Sequence, residues 1–220
     1  QNRHPNSRFK ETIIDIDGSG PIPPVKVDCE FFPDGRNLTY IKHTSPESNY
    51  VDGFQEKGSF EQSIHYYAPM EMMETLINRS KTCVQKLGYD CKSSRLLNTP
   101  VSESQDFTPF GWWVSRQNKK MDYWAGSLPG SRKCECGLHG NCYDQDKWCN
   151  CDANYDKWLY DGGEITQKEY LPVKRVHFGD TGSSLDKSEA RFNLGPLECN
   201  GDLLFDNIVT FRKSDGYIQL

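Results

Sequence analysis

The segment Cys134–Cys151, CECGLHGNCYDQDKWCNC, places five cysteines and one histidine in eighteen residues, spaced C-x-C-x5-C-x6-C-x-C. Three chemistries compete for such a cluster: a metal site, a redox centre and a covalent staple. Structural zinc needs four tetrahedral ligands, usually from knuckles of the C-x2-C or H-x3-H kind. The C-x-C pairs are too short for that, and His139 lies in GLHGN, a sequence that reads as an exposed turn. A thioredoxin-type centre calls for C-x-x-C at a helix start, which is also missing. Disulfides remain. Two residues apart in extended chain, Cys134 and Cys136 would close a strained ring, as would Cys149 and Cys151, so all four are expected to bond outward.

Outside the cluster stand Cys29, Cys83, Cys91 and Cys199, nine cysteines in all, an odd count that leaves one without a partner. Cys83 and Cys91 in TCVQKLGYDC are read as a local bridge, with Gly88 ending a helix and turning the chain back. Cys29, far upstream of the others, is the expected unpaired residue, open to a bond with a residue preceding Gln1. The remaining six, Cys134, Cys136, Cys142, Cys149, Cys151 and Cys199, allow 15 pairings. Excluding the two neighbouring pairs shortens that number, and spacing does not choose among the rest. Each bridge contributes about 2–4 kcal/mol, enough to fix a loop-rich segment with few apolar residues of its own.

Clustered cysteines place the chain in an oxidising compartment. Two sequons, NLT at Asn37 and NRS at Asn78, agree with a secreted glycoprotein. Bulk composition adds exclusions. A net charge of −5, with both signs mixed along the chain, gives no field to gather phosphates or anionic lipid, so nucleic acid and membrane surfaces are poor partners. No apolar run reaches membrane-spanning length and the first residues lack the apolar centre of a signal peptide. Any anchor is expected outside the sequence given. The chain is polar, with a mean hydropathy of −0.76, yet 12% aromatic. Large aromatic anchors inside a loop-rich fold are therefore expected.

Glu11–Ile16 and Val25–Phe32 read as strands around a Gly/Pro turn. From Pro69 to Leu87, apolar Met73, Leu76, Ile77, Cys83, Val84 and Leu87 fit an amphipathic helix. Glu74, Asn78, Lys81 and Gln85 fall on its opposite face, which turns the Asn78 sequon to solvent. TPFGWWVSRQNKKMDYWAGS predicts a hairpin with Trp112 and Val114 facing Tyr123 across RQNKK, and Trp112, Trp113 and Trp124 are read as core packing. LPVKRVHFGD and ARFNLGPLEC read as further strands. The order, strands, one helix, then short strands and long loops, predicts an α+β domain on an antiparallel sheet.

Catalysis has no visible home. Nucleophile elbow, phosphate loop and H-E-x-x-H motifs are missing, and His43, His65, His139 and His177 are scattered. Asp144, Asp146, Asp152 and Asp156 sit at near-alternate positions that could offer oxygens to calcium, but the EF-hand glycine and terminal glutamate are absent, so a solvated acidic loop is expected.

DIDGSGPIPPVKVDC, TPFGWWVSR, YWAGSLPGSRKCECGLHGNC, CNCDA, GDTG and LGPLECNGD together resemble the fibrinogen-like region of the contactin-associated protein and neurexin IV family, over about Ile13 to Asp202. The resemblance implies a fibrinogen C-terminal-like domain over residues 1–202, with an antiparallel sheet, few helices and long disulfide-stapled loops. Residues 203–220 would then start a laminin-G-like domain. It also implies the ectodomain of a single-pass plasma-membrane adhesion receptor, whose relatives include EGF-like modules, acting without catalysis at septate-like junctions. The implied partner is a contactin-type immunoglobulin-superfamily protein. Some fibrinogen-like proteins are soluble lectins for acetylated sugars, the alternative reading. The calcium loop of that group, D-x-D-N-D, does not occur here, so no calcium or other cofactor is expected.

Overall fold

A computed structural model describes residues 7–102, 105–182, 187–201, 210–213 and 216–218. In chain order the elements are β1 (Arg8–Asp15), β2 (Val25–Phe31), β3 (Asn37–Ile41), β4 (Asn49–Val51), β5 (Phe60–Ser63), α1 (Met70–Arg79), β6 (Thr82–Lys92) and β7 (Trp112–Val114). There follow α2 (Glu135–His139), β8 (Leu159–Ile165), β9 (Arg175–Phe178), β10 (Glu189–Leu194), β11 (Leu197–Gly201), β12 (Thr210–Lys213) and β13 (Gly216–Ile218).

One sheet runs β13-β12-β1-β2-β3-β11-β6-β10-β4, with β8 on β6, and a second runs β5-β9-β7. Every pairing among them is antiparallel. The small sheet packs across the β6-β10 part of the large one through aromatic rings. Phe178 of β9 stacks on Tyr89 of β6 at 4.7 Å and lies 5.3 Å from Phe192 of β10, while Phe60 of β5 meets Phe192 at 6.1 Å. Trp124 closes the layer against Tyr89 and Phe178. Tyr89, Phe178, Phe192, Trp113 and Trp124 are all fully buried, and each such side chain contributes about 1.5–3 kcal/mol or more by leaving water.

This two-layer arrangement overturns the expected α+β, fibrinogen-like fold: the chain is a β-sandwich of laminin G-like type with only short helices. The reason lies in residues 69–92. The single long helix expected there stops at Arg79, where the extended Ser80 donates its N–H to the Leu76 carbonyl. Met72, Met73, Leu76 and Ile77 of the helix are buried as its periodicity requires. Thr82–Lys92 then becomes the central strand. Cys83, Gln85, Leu87, Tyr89 and Cys91 alternate inward, a spacing of two that shares Cys83 and Leu87 with the helical pattern.

Gln85 marks the error most sharply. Expected on the solvent face, it is fully buried. Its Oε1 accepts from the Val173 N–H and its Nε2 donates to the Tyr66 hydroxyl and the Gly195 carbonyl. Gly88 ends no helix. It lies mid-strand, where an added Cβ would come 2.6 Å from both the Asn193 and Tyr160 side chains.

The hairpin expected at 112–123 is reduced to one short strand. Its turn forms, with Asn118 at φ 63° and the Ser115 N–H on the Lys119 carbonyl, but the return arm makes a single bridge, Val114 to Lys120. The domain boundary expected after residue 202 falls on residues outside the described ones. Strand β12 lies along β1 of the main sheet.

Candidate functional site: the cystine segment and its aromatic rim

Four disulfides join Cys83–Cys199, Cys91–Cys151, Cys134–Cys149 and Cys136–Cys142. Each C-x-C pair bonds outward. The local Cys83–Cys91 bridge does not form, because both cysteines lie on β6. Eight residues of strand separate them by about 26 Å, far beyond the reach of a disulfide. Instead Cys83 joins Cys199, its direct cross-strand partner on β11, and Cys91 ties the other end of β6 to the cluster. Cys29 is free and buried in β2, with its sulfur 3.9 Å from the Thr39 hydroxyl. Burial pushes its thiol up to about 11.

Two carboxylates organise the cluster from within. Asp152 is buried and accepts hydrogen bonds from the N–H groups of Leu96, Asn98 and Thr99 and from the Thr99 hydroxyl, at 2.7–3.0 Å. It thereby stitches the 96–99 loop to the segment carrying Cys151. Asp161 of β8 is likewise buried and accepts from the N–H groups of Asn150 and Cys151 at 3.0 and 2.7 Å. Desolvation raises the carboxyl of each, opposed by these donors. For Asp161 burial dominates, and the value reaches about 7.

Cys134, Cys149 and Asp161 lie close enough to resemble a metal triad. Both sulfurs are already bonded to each other, so neither is a thiolate and the trio cannot act as a ligand set. Of the four aspartates weighed for calcium, Asp152 is spent on backbone donors as described, and Asp144 accepts from the Asp146 N–H. Asp146 and Asp156 are exposed, and Asp156 lies 3.4 Å from Lys92.

The histidines do not converge. His43 places Nε2 against the Leu194 and Gly195 carbonyls, and His177 stacks on Trp112 at 4.9 Å. His65 and His139 are exposed. Trp113 and Trp124 are core residues whose indole N–H groups donate to the carbonyls of Tyr123 and Asp161. Trp112 is half-buried, covered on one face by His177 and approached by Lys120 at 3.4 Å. Of the sequon residues, Asn78 is exposed on α1, whereas Asn37 is half-buried at the start of β3.

Beside the cluster, sequence reading missed a rim of exposed aromatic side chains. Tyr143 and Tyr155 meet edge to face, with the Lys157 ammonium 3.5 Å above the Tyr143 ring. Arg191 lies over the rings of both Trp158 and Tyr50, at 5.0 and 5.9 Å. Such pairs carry about 0.5–1 kcal/mol each at exposed sites. The signal available in sequence was alternation around Trp158-Leu159-Tyr160, which places two aromatics on the outer face of a strand.

No family model matches the chain. Over 207 residues it is 58% identical to neurexin-4 of Drosophila melanogaster, a match taking in 94% of the chain and 16% of that protein. The chain thus spans about a sixth of the length of this curated relative. It is related by sequence to one segment of a neurexin-4-type protein.

Proposed function

We propose that the chain is a noncatalytic extracellular module of a cell-adhesion receptor of neurexin IV type. It would serve at septate-like junctions as a rigid spacer and as a contact surface for a contactin-type immunoglobulin-superfamily protein. The observation that carries this reading is the 58% identity to neurexin-4 along almost the whole chain. The four cystines supply the physical fit, since such cross-links persist outside the cytosol. The hydrogen-bonded His43 and the buried carboxylates of Asp152 and Asp161, held by four and two donors, support a structural rather than a chemical task for the polar interior. Among the described residues no helix is long and apolar enough to cross a membrane; the reading places the anchor in another part of the receptor.

The direct test is surface binding between this chain, expressed as a secreted protein, and a contactin-type ectodomain. Saturable binding supports the contact role, and its absence confines the module to spacing. Nonreducing peptide mapping of the same material tests the glycans at Asn37 and Asn78 and the expected secretory route.

A further inference from the structure

The outer face of β4-β10-β6-β8 carries a pattern that strand register makes explicit. Directly opposite residues on neighbouring antiparallel strands point to the same side of a sheet. Tyr50 pairs with Arg191, Arg191 with Asp90, and Asp90 with Tyr160. The row across four strands therefore reads aromatic, cation, anion, aromatic. Two residues along, Glu189 of β10 pairs with Lys92 of β6. Trp158 precedes Tyr160 by two and reaches across β6 to lie beneath Arg191.

These side chains are open to solvent where it matters: Tyr50 is 53% exposed, Tyr160 49% and Trp158 43%. The tyrosine at 160 lies flat, because Gly88 and Gly162 leave no Cβ beneath it; a Cβ at either would come within 2.6 Å of its hydroxyl. Among the described residues Arg191 has no carboxylate within ion-pair distance. Exposed tryptophan, tyrosine and arginine are the residue types enriched where protein contacts are strongest.

We propose that this face is a contact surface for a second copy of the same chain. A two-fold axis lying in the contact plane, parallel to the strands and between β10 and β6, turns each row end for end. Arg191 then meets the other copy's Asp90, and Lys92 meets its Glu189. Tyr50 meets its Tyr160, and Trp158 falls near the axis. The four charges of these two rows, of which Lys92 and Glu189 also lie 3.8 Å apart within one chain, face opposite charges across the axis, and Tyr50 faces Tyr160, the self-complementarity an isologous interface requires. Strands about 4.8 Å apart, with three outward residues on each of β10, β6 and β8 and one, Tyr50, on β4, cover roughly 300 Å². Two copies then bury about 600 Å², half of the ~1,200 Å² of stable complexes, so the contact is weak and gains its effect from many copies on one surface. This inference extends the adhesion reading to homotypic contact and needs no contactin-type partner, so either stands or falls without the other.

The test is sedimentation of the full 220-residue chain at physiological salt, where like net charges are screened beyond about 8 Å. Concentrations from about 10 µM to 1 mM suit so small an interface. Wild type is expected to self-associate reversibly. Arg191→Asp sets two aspartates against each other, and Asp90→Arg sets two arginines, so each variant alone is expected to associate at least ~10-fold more weakly. An equimolar mixture restores both pairs and is expected to recover association as a heterodimer. The proposal is overturned by a wild type that stays monomeric, by single variants that associate like wild type, or by a mixture as weak as its components. Recovery in the mixture also shows that the variants are folded.

Discussion

Replacing Asp161 with asparagine separates the electrostatic cost of that carboxylate from its hydrogen bonds. Burial raises the group from 3.8 to about 7, so the native state holds its proton at pH values where the unfolded chain releases it. For a group shifted upward, stability is greatest below the unfolded value and falls as pH rises through the native one. The window is therefore roughly pH 4 to 7, with the native state weaker at the alkaline end. Between pH 5 and pH 8 the loss from this group alone comes to about 2–3 kcal/mol at 1.36 kcal/mol per unit. Asp161→Asn removes that dependence. It also turns one of two acceptors toward the Asn150 and Cys151 amides into a donor, costing about 1–3 kcal/mol at any pH. Urea titrations of both proteins at pH 5, 6, 7 and 8, disulfides intact, read the difference directly. The expected outcome is a wild-type advantage at pH 5 that shrinks to nothing or reverses by pH 8. Parallel pH profiles would refute the reasoning, since they would mean that the carboxylate is no harder to ionise in the fold than outside it.

The disulfides should rank by loop length. Replacing both cysteines of a pair with alanine costs about 2 kcal/mol for Cys136–Cys142, 3 for Cys134–Cys149 and nearly 5 for Cys83–Cys199 by the chain-entropy relation, measured by denaturant titration. Gly137→Ala puts a Cβ 2.2 Å from the Trp148 carbonyl oxygen, backbone that the Cys134–Cys149 bridge holds in place. A loss near the top of the ~1–3 kcal/mol range for overpacking is expected, visible as a lower urea midpoint. Cys29 should resist a thiol reagent at pH 8 in the native protein, where its value near 11 keeps it protonated and burial shields it. One equivalent should react on unfolding without reductant, and two or more would contradict the four bridges.

Strands with plain alternation were legible in the sequence. Glu11–Ile16 overlaps β1 as far as Asp15, Val25–Phe32 covers β2 and one residue beyond it, and the later segments form β9, β10 and β11. Residues 82–92 were not, because an apolar pattern sharing positions between periods of two and 3.6 is decided by partners elsewhere. Gln85 reads as surface until Tyr66, Val173 and Gly195 surround it. The bridge pattern was hidden for the same reason: once Cys83 and Cys91 lie on one strand, both must look outward, and only the sheet order brings Cys199 and Cys151 to them. The α+β expectation drew on that misreading, while its fibrinogen-like form came from the family resemblance. Asp152 and Asp161 were invisible as anchors, since their donors come from the backbone of loops whose course no local pattern fixes.

β6 is the central strand, and a cystine fastens it near either end, to Cys199 and to Cys151. Traction on a chain at a cell contact travels first through covalent bonds, and the Cys83–Cys199 link short-circuits the 116 residues of sequence separation between its ends. About 400 Å of backbone is thereby kept from paying out. A load large enough to unzip hydrogen-bonded strands would leave the stretch inside that link no longer than before, so the module would behave as a fixed-length coupling rather than a spring.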